Sequence, residues 1–309
     1  MIHVIDVQSR ATIQDLGRFG LRRFGVSQCG AMDKLALRAG NILLGNAEDA
    51  PAIEVPLGGI TLQFQQDMNF CVTGAFYEMT LDDKPVFAYW RYQARAGQVL
   101  KMIRAKIGMY GYLCVQGGFL LPQELNSCST DLRAQIGGME GRGLQAGDQL
   151  QTVNDPILRS EIGIAPIPLK HTIHALPSSE YQAFKRKSQY YWWRGKWTLQ
   201  SSSDRMGYRF QGQKLELKQP LEMLSHAIQF GSVQVPPSGQ PIILMADAQT
   251  TGGYPKIANV IDADLGALAQ VRLGSTIQFE AVSLEQAAKL RRKNEIYLDQ
   301  IRRIVDEKN

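Results

Sequence analysis

A glycine turn of one form recurs along this chain, each time just ahead of an apolar strand: Arg95-Ala-Gly97-Gln-Val-Leu100, Gln145-Ala-Gly147-Asp-Gln-Leu150 and Arg272-Leu-Gly274-Ser-Thr-Ile277. Elsewhere the apolar residues alternate, in Ile60-Thr-Leu62-Gln-Phe64, Phe70-Cys-Val72, Val86-Phe-Ala88-Tyr-Trp90 and Tyr110-Gly-Tyr112-Leu-Cys114. Short runs of period two closed by glycine are the pattern of strands in barrels or sandwiches. The repeated turn points to similar barrel-type units, with few helices. A further echo, Gly59-Ile-Thr-Leu-Gln-Phe64 against Gly274-Ser-Thr-Ile-Gln-Phe279, sits in opposite halves, as a duplication would place it. Chance β patterning explains so short a match nearly as well.

Helices are legible at three places. Asp33 to Leu44 sets Leu35, Ala39, Ile42 and Leu43 on one face, with Asp33 as N-cap and Gly45 as the stop. Tyr181 to Trp193 reads as an amphipathic helix with two tryptophans inward and the lysines in water. Near the C-terminus, Ser283 and Gln286 have capping-box spacing ahead of a stripe of Tyr297, Ile301, Ile304 and Val305. The segment from Asn154 to Pro177 holds four prolines and reads as the boundary. The expected units are residues 1–155 and residues 156–309, the second carrying the C-terminal helix.

At 309 residues, 44% hydrophobic and 20% charged, the chain is large enough for one or two real cores. No apolar run approaches the ~18–20 residues of a membrane span, and the N-terminus lacks the basic-then-apolar order of a signal peptide. The expectation is a cytoplasmic protein with no membrane partner. Cys29, Cys71, Cys114 and Cys128 are dispersed, so neither a zinc knuckle nor a disulfide framework is signalled. A net charge of +5 raises nucleic acid as a partner, but the nearest basic-aromatic run, Lys185 to Lys196, fits the amphipathic helix better. No nucleic-acid partner is expected.

The familiar self-contained toolkits are missing: no GxxxxGK[ST] loop, no complete GxGxxG, no GxSxG elbow and no HExxH pair. His171 and His174 have no carboxylate close in sequence and read as surface or strand histidines, so no metal site is expected. Four polar, glycine-bearing clusters remain. Ala11 to Asp33 brings Gln14, Asp15, Arg18, Ser27 and Asp33 onto a loop entering the first helix, where backbone amides suit an anion. Asn126 to Asp131 and Ile136 to Arg142 set Ser127, Ser129, Thr130 and Asp131 as helix-cap or site residues and offer the Arg142 fork to a carboxylate or phosphate. A nucleophilic Cys128 is the lesser reading, because no histidine is near it in sequence.

In Ser203 to Phe210, Arg205 and Arg209 flank a glycine turn, either holding an anion or tying two domains together. The fourth cluster runs from Gly239 to Lys256. There a buried strand, Ile242 to Met245, empties into Asp247, Gln249, Thr250, Thr251, Gly252 and Gly253, and Pro255 stiffens the exit. Turn and site are equally good readings of that segment alone.

In this order, TIQDLGRFG with CGAMD, NSCSTDLRAQIGGMEGR, SDRMGYRFQG, VQVPPSGQPIILMADAQTTGGYPKIA and Ile261-Asp-Ala-Asp-Leu265 resemble the family of the 5-oxoprolinase C subunit. That family is also described as the Kip antagonist family and as the related half of a biotin-dependent carboxyltransferase domain. Asn126 stands where the family pattern has glycine. The resemblance implies a mainly β fold of two cyclophilin-like barrels with a few helices. It also implies two partners, the Kip-inhibitor-like B subunit of 5-oxoprolinase together with its LamB/YcsF-like A subunit. ATP with magnesium is implied for opening 5-oxo-L-proline to L-glutamate, and no covalently attached biotin is expected.

An unstrained lactam is a poor electrophile, and phosphorylating its oxygen first makes hydrolysis feasible, which calls for cationic and N–H groups around phosphoryl oxygens. The groups assigned to catalysis are Gln249, Thr250, Thr251 and Lys256. Those assigned to substrate or phosphate are Asp15, Arg18, Ser129, Asp131, Arg142, Arg205, Gly252 and Gly253. The alternatives are half of a carboxyltransferase fed by carboxybiotin from another protein, or a non-catalytic antagonist of a kinase inhibitor.

Overall fold

The structure, a computed structural model, describes residues 1–153, 155–158 and 161–308; Asn154, the first residue of the expected boundary segment, lies outside them. It has two compact units. One comprises Met1–Arg18, Cys29–Pro168 and Asn294–Asn309, the other Phe19–Gln28 and Leu169–Lys293.

The first unit is built on β1 (Ile2–Val7), β2 (Thr12–Gln14), β3 (Ala52–Pro56), β4 (Ile60–Phe64), β5 (Met68–Leu81), β6 (Lys84–Pro85), β7 (Arg91–Ala94), β8 (Val99–Val115) and β9 (Gln149–Leu150). Among the described residues these strands make one sheet in the order β2-β3-β8-β4-β1-β9, with β5 against β8 and carrying β6 and β7. Alternation sets the buried face: Ile60, Leu62 and Phe64 are buried while Thr61 and Gln63 are half-buried. The Phe64 ring lies 5.0 Å from Phe70 in the core.

The second unit contains β10 (Thr172–Pro177), β11 (Trp197–Leu199), β12 (Gly207–Gln211), β13 (His226–Ala227), β14 (Ser232–Gln234), β15 (Ile242–Leu244), β16 (Thr251–Gly252), β17 (Lys256–Val260) and β18 (Thr276–Ala281). Seven of them close a barrel in the order β10-β17-β14-β15-β12-β11-β18, sealed by parallel pairing of β18 with β10. β13 and β16 form a separate ribbon. Aromatic stacking fills the core: Trp192 lies 4.2 Å from Phe279 at 16°.

The expected pair of cyclophilin-like barrels does not hold. Only the second unit closes; in the first, the described end strands β2 and β9 are short, and each pairs with one neighbour rather than with the other. Val86 to Trp90 is not a strand either. Tyr89 sits at φ 65, a left-handed backbone that breaks an extended run.

The three glycine turns form as read. Gln98, Asp148 and Ser275 donate back to the carbonyls of Arg95, Gln145 and Arg272, while Gly97, Gly147 and Gly274 take φ 90, 94 and 81. Glycine at the third position with φ > 0 is a type II turn, which disfavours any side chain there. The echo falls on one strand in each unit, with Leu62 and Phe64 buried in β4 and Ile277 and Phe279 buried in β18.

Four α-helices lie among the described residues: α1 (Lys34–Leu43), α2 (Arg186–Arg194), α3 (Asp262–Ala269) and α4 (Leu284–Lys308). Asp33 caps α1 by accepting from Ala36 N at 3.1 Å, and Gly45 follows at φ 72; the buried face contains Ala36 and Leu37, with Leu35 half-buried. Ser283 and Gln286 make the reciprocal capping box at 2.7 and 3.1 Å. In α4 the buried stripe is Leu298, Ile301 and Val305, with Ile304 exposed. The Tyr181 to Trp193 helix is interrupted, since Phe184 and Lys185 are extended before α2 begins; Trp192 is fully buried and Trp193 only partly. Among the described residues no helix is long and apolar enough to cross a membrane.

Candidate active site

In the second unit, the loop from Asp247 to Lys256 is pinned along its length. At its start Arg205 grips Asp247 with two parallel bonds, Nε to Oδ2 at 2.8 Å and Nη2 to Oδ1 at 2.7 Å. Arg22, from the segment the chain sends into this unit, donates to the Gln249 carbonyl at 3.1 Å and to that of Ile228 at 2.6 Å. Ile228 N in turn donates to the Thr250 carbonyl. The ribbon pairs His226 with Gly252 and Ala227 with Thr251. The backbone is thus held while Gln249 and Thr251 keep exposed side chains.

At the loop's end stands a partly buried ion pair. Lys256 Nζ lies 3.0 Å from Glu180 Oε2, and that carboxylate also accepts from Lys256 N at 3.1 Å. Burial works to raise the Glu180 carboxyl, but hydrogen bonds from Ser179 and Lys256 outweigh it and hold the group below the ordinary range. The same ammonium donates to His226 Nε2. With Nε2 accepting, the ring proton sits on Nδ1, which faces the Leu224 carbonyl at 3.2 Å. Gly253, Tyr254 and Pro255 also line an apolar cavity of about 580 Å³ with Met223, Val235 and Pro236, within the range of small-molecule sites.

In the first unit the assigned residues form a hydrogen-bonded knot. Asp15, mostly buried, accepts from Gly17 N at 2.7 Å, Ser127 Oγ at 2.7 Å, Ser129 Oγ at 2.5 Å and Cys128 N at 2.6 Å. Arg18, fully buried, donates to the carbonyls of Glu124 at 3.1 Å and Ser129 at 2.6 Å. Asp131 accepts from Arg133 N and Ala134 N, capping a turn. The Arg142 fork closes on Asp148 at 2.7 and 2.8 Å. Asn126 lies at φ 61, a left-handed position that asparagine tolerates better than most residues, so the departure from glycine keeps the loop's shape. Cys128 is not poised as a nucleophile: burial, and then the charge of Asp15, push its thiol up to about 11.

The structure therefore brings Gln249, Thr250, Thr251, Gly252, Gly253, Lys256 and Arg205 together in one unit and Asp15, Arg18, Ser129, Asp131 and Arg142 in the other. Glu180 escaped notice in the sequence because its link to Lys256 is tertiary. So did Asp264, fully buried in α3, which takes His174 Nδ1 at 2.6 Å and Lys170 Nζ at 2.7 Å. It supplies His174 with the carboxylate that no neighbour in sequence offers.

The family model of the carboxyltransferase domain, subdomain A and B, matches residues 24–281, a family name that agrees with the corrected fold. The C subunit of 5-oxoprolinase from Haemophilus influenzae is 91% identical over 309 residues, covering 100% of both chains. The chain belongs to the 5-oxoprolinase C-subunit family. The corresponding C subunit of Escherichia coli 5-oxoprolinase is 47% identical, over 97% of each chain. Among solved structures, Kluyveromyces lactis urea amidolyase superposes with a TM-score of 0.90 at 26% identity, covering 97% of this chain and 20% of that one. The family's fold thus also stands as about a fifth of a larger enzyme.

Proposed function

We propose that this chain works as the C subunit of an ATP-dependent 5-oxoprolinase, a hydrolase that opens 5-oxo-L-proline to L-glutamate. The observation that carries this reading is the 91% identity, end to end, to a C subunit of 5-oxoprolinase. Its partners are the Kip-inhibitor-like B subunit of the enzyme together with its LamB/YcsF-like A subunit. The assembled complex consumes ATP with magnesium.

In this reading Lys256, Gln249, Thr250 and Thr251 supply ammonium, amide and hydroxyl groups to the ring amide and to phosphoryl oxygens. These are the donor types that phosphoryl transfer needs, placed on a loop whose backbone does not have to be reordered. Gly252 and Gly253 allow close approach. Arg205 fixes this loop in the second unit; in the first unit, Asp15, Arg18, Ser129, Asp131 and Arg142 hold their own loops in shape for substrate or phosphate. The test is reconstitution of the two partners and this chain with ATP and 5-oxoproline. Glutamate release that needs all three proteins supports the reading; no release with all three present refutes it.

A carboxyltransferase half is the second reading, favoured by the match to the carboxyltransferase family and to urea amidolyase. It predicts instead that carboxybiotin, delivered by another protein, is consumed.

A further inference from the structure

Gln234 is 3% exposed, and its Nε2 has no hydrogen-bond partner among the described residues. An unmet buried donor is costly, and native interiors rarely keep one without a use. Its position is also informative. β14 pairs with β17 through a register shift, Val233 opposite Ala258 but Gln234 opposite Lys256, so one extra residue, Ile257, is accommodated between them. Without that bulge Gln234 would face Ile257. With it, Gln234 and Lys256 are cross-strand neighbours, and bulges beside sites commonly re-aim a side chain in this way.

Glycine at 252 leaves room for the amide. Gly252 presents no side chain: a Cβ there would lie 2.5 Å from Gln234 Nε2. Lys256 spends one N–H on Glu180 and one on His226 Nε2, which leaves a third. Glu180 balances the ammonium, so the pair is neutral as a unit.

We propose that Gln234 Nε2 and Lys256 Nζ form a receptor for the carbonyl oxygen of a ring amide, making Gln234 a substrate-contacting, specificity-determining residue. The inference rests on the 5-oxoprolinase reading and adds to it the atom that is recognised. It also states what is rejected. Proline, the same ring without the carbonyl, leaves two buried donors unmet, and sites built around a hydrogen bond discriminate strongly against such analogues.

The experiment measures KM, kcat and thermal unfolding for the reconstituted complex carrying Gln234→Met, with the wild type and Gly252→Ala alongside. Gln234→Met is expected to raise KM for 5-oxoproline about tenfold or more while the unfolding temperature stays level or rises, because a buried orphan is removed. Gly252→Ala should raise KM by displacing the amide, and L-proline should not compete with 5-oxoproline in the wild type. A KM within twofold of wild type for Gln234→Met overturns the proposal, and so does a lowered unfolding temperature with KM unchanged, the mark of a structural role. A wild-type complex that fails to turn over instead sinks the 5-oxoprolinase reading, a result visible before any variant is made.

Discussion

Replacing Asp15 with alanine is expected to lower the unfolding free energy by about 3–5 kcal/mol, a large part of the stability of an ordinary domain. The carboxylate gathers four donors from two stretches of chain far apart in sequence, and with it gone Gly17 N, Cys128 N and the hydroxyls of Ser127 and Ser129 lose their acceptor inside a packed region. Each unmet buried group costs about 1–3 kcal/mol, partly recovered where the hydroxyls turn elsewhere. Asp15→Asn should cost less. Its oxygen can keep the three bonds now made by Oδ1, but its NH2 would face the Cys128 N–H, donor against donor. Urea denaturation at neutral pH checks the order, Ala worse than Asn and both worse than wild type. A loss under about 1 kcal/mol for Asp15→Ala would mean that the knot is not what fixes these loops.

Lys256→Met is expected to reduce kcat of the assembled 5-oxoprolinase by about 10²–10³-fold, the usual effect of removing one charged donor from a reacting group. The variant keeps most of the aliphatic stem, so packing changes little. It does leave the half-buried Glu180 without its ammonium, which by itself destabilises. A structural and a chemical role separate in the double variant Glu180→Gln with Lys256→Met. Stability should return because the uncompensated charge is gone, and activity should not. Recovery of turnover together with stability would assign Lys256 to architecture.

The legible features were local ones. Asp33 and Ala36, Ser283 and Gln286, and the three glycine turns each complete their bonds within a few residues, so spacing alone sufficed. The loop after Ile242 to Met245 was legible for a similar reason: an apolar run that stops abruptly at amides, hydroxyls and glycines. Closure of a sheet is a different kind of property. It depends on whether two end strands meet, and nothing in the alternation of β2 or β9 records that they do not. The partners of Lys256 and His174 were hidden by distance, Glu180 and Asp264 lying 76 and 90 residues away along the chain. The pairing of Gln234 with Lys256 was hidden by the bulge that sets them opposite each other. The partner of Arg142 was within reach of the sequence, since Asp148 belongs to a glycine turn already noted six residues on.

The central claim is that this chain contributes reacting surface to a shared enzyme and is not only a binding partner. Gln249→Ala and Thr251→Ala test it most directly, because both side chains are exposed and their removal leaves the pinned backbone of the loop untouched. Glutamate release and assembly with the two partner proteins should be measured on the same preparations. The account predicts turnover down tenfold or more with assembly intact. Undiminished turnover, or a loss that merely follows failed assembly, would contradict it.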